Sequence, residues 1–444
     1  MLGNNLRLMA AAGVLGLGSA GALGQNGYDL SIVLREGQMF LGEQVTSVGG
    51  FDINDRDEIV IAGATSAGGT LWSRTGVLLR DGVPTPEGVT ITSGFNWSTV
   101  QLNNSGTYAV AVFGPNFGND NDHYISGVGL LGMPGKQLDG ETLSGADLGG
   151  FELADDGLLY ATGALTDGRT VLFNQSEILL KAGEQIDGET VAVVGSGGAN
   201  ENFDINSSGY WQVHVVIAPG TNALASSTGL EVVNDRVGPT GQVVTGLNNA
   251  EVAVNDSGDY TFAASFDNVF SIAKPGGIVI SDGEPLPGVT DLAEINQFTA
   301  LDESGDVVFA SDLSSLGRRS GFFTPNGPVA LPDQMVDGFR LLEMLEDSAQ
   351  WGPNGKVYFV ARYDDGSRFG SVAVIEATPR PASCSAADVA APFGVISQAD
   401  VSEFVDLFFA GDSRVAALAG PIDIVSQADV NAFVGLFFAG CPTN

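Results

Sequence analysis

Basic residues and the residue types of common catalytic sites are scarce in this sequence. Its 444 residues include 18 lysines and arginines against 53 aspartates and glutamates, which gives a formal net charge of -35 at pH 7. Because the lysines and arginines are too few to neutralise a phosphate backbone, the composition argues against a nucleic-acid partner. It also argues against adhesion to anionic membrane surfaces. Solubility and attraction of cations explain the acidic excess without any specific acidic function.

Histidine and cysteine are limited to two residues each. His123 and His214 are far apart in the sequence and lack the spacing of a ligand pair, so a histidine metal site or catalytic triad is not expected. The acidic loop at residues 118–122 is a candidate cation site through Asp120 and Asp122, with an ordinary solvated loop as the alternative. No catalytic or cofactor-binding residue is nominated, and calcium is the one cofactor left open.

The long apolar stretch of the chain is confined to its N-terminus. Arg7 precedes an apolar run over residues 8–17, and small residues follow it. This order predicts a signal peptide over residues 1–24, with cleavage after Ala22 or Gly24. The mature protein is then expected to be secreted or held at the cell surface. A retained membrane helix is the less favoured alternative, because glycines interrupt the segment.

A turn of one design recurs seven times at intervals of 47 to 52 residues. Asn or Asp opens the turn by bonding its own backbone, and Gly closes it where φ must be positive. Alternating apolar residues flank each copy, so each predicts a β-hairpin with one apolar face. The seven copies are Asn54-Asp55-Arg56-Asp57, Asn103-Asn104-Ser105-Gly106, Ala154-Asp155-Asp156-Gly157, Asn206-Ser207-Ser208-Gly209, Asn255-Asp256-Ser257-Gly258, Asp302-Glu303-Ser304-Gly305 and Gly352-Pro353-Asn354-Gly355.

Further strand-like segments lie between these turns, for example residues 32–37, 77–82, 178–183 and 278–283. Each period can hold four short strands, and seven such periods predict an all-β fold, a seven-bladed β-propeller over residues 28–377. A β-solenoid or tandem sandwiches are the alternatives. One strand type occurs eight times if residues 371–375 are counted. Either the ends of the chain overlap to close the ring, or the strand count is wrong by one.

The composition changes at a Pro-containing linker over residues 378–383, and beyond it the repeat becomes helical with a period of 29 residues. Residues 396–411 recur as residues 425–440, each copy with Ser placed to cap a helix and Asp at the capping-box position. The helices are expected to pack through two apolar faces, Val401, Phe404, Val405 and Phe408 on one and Val430, Phe433, Val434 and Phe437 on the other. Cys384 and Cys441 bracket this unit and are predicted to form a disulfide after export. A free catalytic thiol or a metal pair is the alternative.

The duplicated helical segment with its cysteine bracket resembles a dockerin domain, specifically the GC-type dockerin-like modules of secreted bacterial proteins, over residues 384–442. The resemblance implies docking to a cohesin-like or cell-surface partner. Dockerins bind calcium, but the loops here lack the early acidic ligands, and a shift of alignment recovers only Asp388. Asp400 and Asp429 are therefore expected to be helix caps rather than ligands. The repeat region is similar to secreted tandem-repeat proteins with an NxxGxxxF-like motif.

Two functions from different classes remain. One is a non-enzymatic extracellular propeller that binds a glycan or protein and is anchored or assembled through its dockerin-like tail. The other is a carbohydrate-active hydrolase or lyase with the same tail. Propellers host both classes. Carboxylates together with aromatic residues at the central funnel would favour the enzyme.

Overall fold

The computed structural model describes residues 27–91, 95–113, 121–195, 203–247, 251–287, 289, 292–314, 319–345, 348–367, 370–380, 398–410 and 427–439. The chain divides into two compact units, residues 26–380, and residues 1–25 together with 381–444.

Residues 27–380 form seven antiparallel sheets, which are the blades of a β-propeller. Blade 1 comprises Met39–Phe40, Glu43–Ile53, Ile59–Thr65, Gly68–Ser73 and Val77–Arg80; blade 2 comprises Phe95–Leu102, Tyr108–Phe113, Asn121–Ile125 and Gly129–Leu130; blade 3 comprises Gln137–Leu138, Glu141–Leu153, Leu159–Leu165, Thr170–Asn174 and Ile178–Lys181. Blade 4 comprises Gln185–Ile186, Glu189–Val194, Phe203–Ile205, Trp211–Ile217, Thr221–Ser226 and Gly229–Val233; blade 5 comprises Val244–Gly246, Val252–Val254, Tyr260–Phe266, Val269–Lys274 and Gly277–Ser281. Blade 6 comprises Leu292–Leu301, Val307–Leu313, Arg319–Thr324 and Gly327–Ala330; blade 7 comprises Met335–Val336, Phe339–Met344, Gln350–Trp351, Val357–Tyr363, Ser371–Pro379 and Tyr28–Arg35.

The predicted four strands per blade are present, but the sheets contain between four and six. The strand that leads into the recurring turn, called the inner strand here, is split in blades 4, 5 and 7. A two-residue strand also precedes it in several blades, for example Met39–Phe40 before Glu43–Ile53. These short pieces were not separable from the sequence because each is only two or three residues long.

The N-terminal strand closes the ring. Tyr28–Arg35 pairs with Ser371–Pro379, from Tyr28 opposite Pro379 to Arg35 opposite Ala373. The last blade therefore takes its outer strand from the start of the chain. Of the two alternatives left by the sequence, the overlap of the chain ends is the correct one. Seven clusters of buried apolar side chains in the described part of the chain each join two adjacent blades, including the last and the first. Stacking of blades thus buries the apolar faces that single hairpins would expose.

The second unit contains two described helices, α1 (Gln398–Ala410) and α2 (Gln427–Ala439). Phe404 and Phe433 stack with ring centroids 3.9 Å apart, so the helices contact each other through the predicted aromatic positions. The predicted faces were too broad, because Val401, Val405 and Val434 are exposed. The ring stack and neighbouring side chains form a narrow contact that leaves the valines outside it. No helix within the described ranges is long and apolar enough to cross a membrane.

Candidate functional site at the mouth of the central channel

The recurring turns surround one mouth of the central channel. In the five turns that begin with Asn or Asp, the side chain of this first residue stabilises the turn. In blade 4 the Oδ1 atom of Asn206 accepts hydrogen bonds from the backbone N–H groups of Ser208 at 3.1 Å and Tyr210 at 2.9 Å. Gly209 follows with a φ of 80°. The same bonds recur at Asn54, Asn103 and Asp302. The predicted side-chain-to-backbone turn is thereby confirmed where the turn begins with Asn or Asp, but not at Ala154 and Gly352, which have no side-chain acceptor.

The same side chains also join neighbouring blades. Asn206 Nδ2 donates to the carbonyl oxygen of Asn255 in blade 5 at 3.1 Å, and Asn255 Nδ2 donates to that of Asp302 in blade 6 at 3.0 Å. Asn54 and Asn103 make the equivalent bonds to Asn103 and Ala154. Each asparagine therefore uses its oxygen within its own turn and its nitrogen toward the next blade.

The second residue of the turn adds a parallel set of bonds. The backbone N–H of Ser207 donates to Asp256 Oδ1 at 2.8 Å, and that of Asp256 donates to Glu303 at 3.1 Å. In the other arc, Asn104 donates its backbone N–H to Asp155 Oδ1 at 2.7 Å and its side-chain nitrogen to Asp55 at 2.7 Å. The carboxylates around the mouth are therefore held by donors from adjacent blades, and we call this ring of turn bonds the belt.

A cavity of about 180 Å³ lies inside the belt. Its walls combine aliphatic side chains that end the inner strands with the polar residues of the turns. Four carboxylates share it, and no aromatic residue lines it. The lining residues are Ile53, Asn54, Asp55, Leu102, Asn103, Asn104, Leu153, Ala154, Asp155, Ile205, Asn206, Ser207, Val254, Asp256 and Glu303. The mouth thus has the carboxylates expected of an enzyme, but its lining lacks the expected aromatic residues.

A second polar layer lies two residues before each turn, on the inner strands. Strand register places one residue per blade at this level, and we call this set the inner layer. Its members are Asp52, Gln101, Glu152, Asp204, Ala253, Ala300 and Gln350. It contains three carboxylates and no basic residue, so its charge is wholly negative.

Asp52 and Asp204 occupy equivalent places in blades 1 and 4. Asp204 accepts the backbone N–H of Ile205 at 2.7 Å and that of Val254 in blade 5 at 2.6 Å. Asp52 likewise accepts the N–H of Ile53 at 2.8 Å and that of Leu102 in blade 2. All four donors belong to residues that line the mouth.

Burial governs the protonation of this pair. Desolvation raises the pKa of Asp52 to about 7, against the two backbone donors, and the charge of Asp204 raises it further. Desolvation also raises the pKa of Asp204 to about 6. These residues were missed by sequence reasoning. The available signal was the tetrapeptide Phe-Asp-Ile-Asn, which occurs at both 51–54 and 203–206.

The residues nominated from the sequence lie elsewhere. Asp122 accepts the backbone N–H groups of His123 and Gly132, both at 2.8 Å, which supports a loop-stabilising role. Asp120 and Asp388 lie outside the described residues, as do Cys384 and Cys441. Asp400 lies in the first turn of α1, and Asp429 is buried in the first turn of α2. Within the described ranges no three His, Cys, Asp or Glu side chains come together as a metal site.

The two histidines are buried in separate blades. His123 is inaccessible to solvent, contacts the ring of Phe151 edge-on at 4.5 Å between centroids, and has no hydrogen-bond partner at either ring nitrogen among the described residues. Burial lowers its pKa to about 3 and lowers the pKa of His214. Both imidazoles are therefore expected to be neutral parts of the core.

No family model and no curated protein matches the chain. Solved structures that it resembles include the WD40 β-propeller domain of Doa1, at 12% identity and a TM-score of 0.35 over 79% of this chain and 97% of that chain. They also include polysaccharide lyase Uly1, at 10% identity and a TM-score of 0.39 over 81% and 98%. Virginiamycin B lyase from Staphylococcus aureus is 10% identical, with a TM-score of 0.32 over 78% and 99%.

Proposed function

We propose that the protein is an exported, non-enzymatic propeller that binds a glycan or protein ligand at the belt-lined mouth of its channel. The observation that carries the proposal is the commitment of the mouth carboxylates. Asp155, Asp256 and Glu303 each accept a backbone N–H from the adjacent blade. A general acid or base needs an oxygen within reach of substrate. Carboxylates held in this way instead provide a fixed polar surface.

The C-terminal unit supports anchoring or assembly as the second part of this function. Its duplicated helices contact each other through equivalent phenylalanines, Phe404 and Phe433. A unit of this kind fits the dockerin-like role suggested by the sequence, with a cohesin-like or cell-surface protein as partner. A signal peptide would bring both units outside the cytoplasm.

The binding proposal can be tested with the mature full-length protein on glycan and peptide arrays. Ser207→Arg places a long side chain in the cavity while keeping the backbone donor of residue 207, so we expect it to abolish ligand capture. Thr46→Arg, at an exposed position outside the cavity lining, is the matched control and should bind as wild type. Capture that survives Ser207→Arg would place the ligand elsewhere on the propeller.

One observation favours a carbohydrate-active enzyme as a second candidate, namely the four carboxylates that share the mouth. Paired carboxylates perform glycoside hydrolysis when their spacing suits the substrate. The test is incubation of polysaccharides with the mature protein, followed by assay for new reducing ends and for the unsaturated products of a lyase. Turnover that is lost in Asp155→Asn but retained in Thr46→Arg would favour this candidate over simple binding.

A further inference from the structure

A buried oxygen without a partner lies at the level of the inner layer, where blade 7 meets blade 1. The Oε1 atom of Gln350 is buried and accepts no hydrogen bond from any described residue. Its Nε2 atom lies 3.4 Å from the carbonyl oxygen of Phe51, at the long limit of a hydrogen bond. A buried acceptor without a donor is costly, so the arrangement calls for a proton that the heavy-atom positions do not show.

The carboxyl group of Asp52 is the neighbouring source of that proton. Gln350 Nε2 lies 3.4 Å from the carbonyl oxygen of Phe51, the residue before Asp52, and hydrogen bonding from Gln350 acts to lower the pKa of Asp52. Only 8% of Asp52 is exposed. The carboxamide of Gln350 has a donor end and an acceptor end that exchange by a half-turn of the side chain. It can therefore pair with either protonation state of Asp52.

We propose that Asp52 and Gln350 form a proton-dependent latch between the first and last blades of the propeller. When Asp52 is ionised, it accepts a hydrogen bond from the amide nitrogen of Gln350. When Asp52 has taken a proton from solvent, its O–H donates to Gln350 Oε1 and satisfies the buried acceptor. No covalent bond changes except the O–H bond of the carboxyl group.

Burial sets the direction of the switch, and the surrounding negative charges add to it. The charge of Asp204 raises the pKa of Asp52, and Glu152 is the third carboxylate of the inner layer. Asp55, Asp155, Asp256 and Glu303 line the cavity, and neither the cavity lining nor the inner layer contains a lysine, arginine or histidine. Like charges and burial both favour the protonated form.

The latch also reaches the mouth. Asp52 holds the backbone N–H groups of Ile53 and Leu102, and both residues line the cavity. A change in the charge of Asp52 therefore alters the strength of bonds that position the cavity wall. The raised pKa of Asp52 means that the folded protein binds this proton more tightly than the unfolded chain. The carboxyl group of Asp52 therefore makes its full contribution to stability below the ordinary carboxyl pKa. This contribution is lost as pH rises through about 7.

The full-length protein tests this by infrared difference spectroscopy and thermal unfolding between pH 5 and pH 8. We expect a carboxylic-acid C=O band that disappears over this range, together with a fall in the unfolding midpoint. In Asp52→Asn the part of the band that comes from Asp52 should be lost while that of Asp204 remains. The midpoint should fall less steeply with pH in this window, because the new amide can donate to Gln350 Oε1 at every pH. Asp204→Asn should keep the band of Asp52. The band should disappear at a lower pH than in wild type, because the charge of Asp204 no longer raises the pKa of Asp52.

Glu177→Gln, an exposed carboxyl in blade 3, is the matched control and should behave as wild type. A permanently ionised Asp52 with a purely structural role gives a different result. In that case Asp52→Asn leaves the infrared band of wild type unchanged and lowers the unfolding midpoint equally at pH 5 and pH 8. Either result would overturn the latch.

Discussion

The side chain of Asn103 both stabilises its own turn and bonds to the adjacent blade. Its oxygen accepts the N–H groups of Ser105 and Thr107, and its nitrogen donates to the carbonyl oxygen of Ala154 in the next blade. Asparagine suits this position because it is an acceptor and a donor at once. Aspartate can only close its own turn when ionised, as Asp302 does. Alanine can do neither, so Ala154 leaves a gap between blades 3 and 4.

Replacement of an asparagine of the belt by alanine should therefore destabilise the protein, and replacement of Ala154 by asparagine should stabilise it. Asn206→Ala removes a bond to blade 5 and leaves two turn N–H groups without their acceptor, so we expect a loss of about 1–3 kcal/mol in the free energy of unfolding. Ala154→Asn can form the missing bond to Asn206, and we expect a gain of about 0.5–1.5 kcal/mol. Denaturant unfolding of both variants measures this. A loss of stability in Ala154→Asn would contradict the equivalence of the blade 3 turn with the turns that begin with asparagine.

The turns were predictable residue by residue, but their contacts were not. The bonds from Asn206 Oδ1 to its own turn depend on residues two and four positions away, which the sequence displays. The bond from Asn206 Nδ2 crosses 49 residues to Asn255 and exists only once the blades stack. The burial of Asp52 depends on the same stacking. A short-range pattern therefore specified the turn, while the channel side of the candidate site required the tertiary structure.

At the scale of elements, ring closure relies on a polar cluster as well as strand pairing. The hydroxyl of Tyr358 in blade 7 lies 2.6 Å from Asp57 Oδ1 in blade 1 and 2.8 Å from Glu376 Oε2. Arg74 of blade 1 donates to the hydroxyl at 2.8 Å and to Glu376 at 2.9 Å, and Lys356 approaches Asp57 at 2.8 Å. Two cations and two carboxylates thus balance each other at this seam in a strongly acidic chain.

Removal of one hydroxyl should weaken this seam. Tyr358→Phe keeps the buried ring but removes the hydroxyl that bonds to Asp57, Glu376 and Arg74, so we expect a loss of about 1–3 kcal/mol in the free energy of unfolding. Tyr28→Phe is the control, because the Tyr28 hydroxyl makes no hydrogen bond to any described residue, and its effect should stay within about 0.5 kcal/mol. Equal losses in the two variants would refute a specific role for the cluster.

The cluster should also contribute to acid sensitivity. Burial acts to raise the pKa of Glu376, but hydrogen bonds from Tyr358, Arg74 and Lys356 outweigh it and lower that pKa to about 2. A lowered folded-state pKa stabilises the protein above the ordinary carboxyl pKa, and this contribution is lost as pH falls toward 2. We expect Glu376→Gln to be less stable than wild type at pH 7 and nearly equal to it at pH 2. Unfolding curves at the two pH values measure the difference, and a constant gap would count against the assignment.

Helix α1 contains two phenylalanines in contrasting environments. Phe404 is buried in the stack with Phe433, whereas Phe409 is 82% exposed. Phe404→Ala should cost about 3–5 kcal/mol and melt the helical circular dichroism signal early. Phe409→Ala should stay within about 0.5 kcal/mol. Similar melting of the two variants would mean that the ring stack does not hold the unit together.

At the scale of the whole molecule, the belt divides the ring into two arcs of three blades and a closing blade. Its side-chain bonds run through blades 1 to 3 and through blades 4 to 6. Asp52 and Asp204 lie at the start of the two arcs and make the same bonds to the following blade. Ala154 interrupts the belt between the arcs. Blade 7 has Gly352 and Pro353 at the first two turn positions, where every other blade has at least one polar side chain. Blade 7 is held instead by Tyr28–Arg35 and by the cluster at Tyr358.

Ring closure should therefore depend on the first strand in an all-or-none way. Deletion of residues 28–35 leaves Ser371–Pro379 as an unpaired edge and uncovers the apolar cluster between blades 6 and 7. We expect the truncated protein to unfold at a lower temperature, with a broadened transition and a tendency to associate. A synthetic peptide of residues 27–36 should pair with the open edge and restore the sharp transition. A peptide with Leu30, Ile32 and Leu34 replaced by serine is the control and should have no effect, because those residues bear the apolar contacts of the strand. Differential scanning calorimetry distinguishes these cases, and a truncated protein that melts like wild type would show that the ring does not need this strand to close.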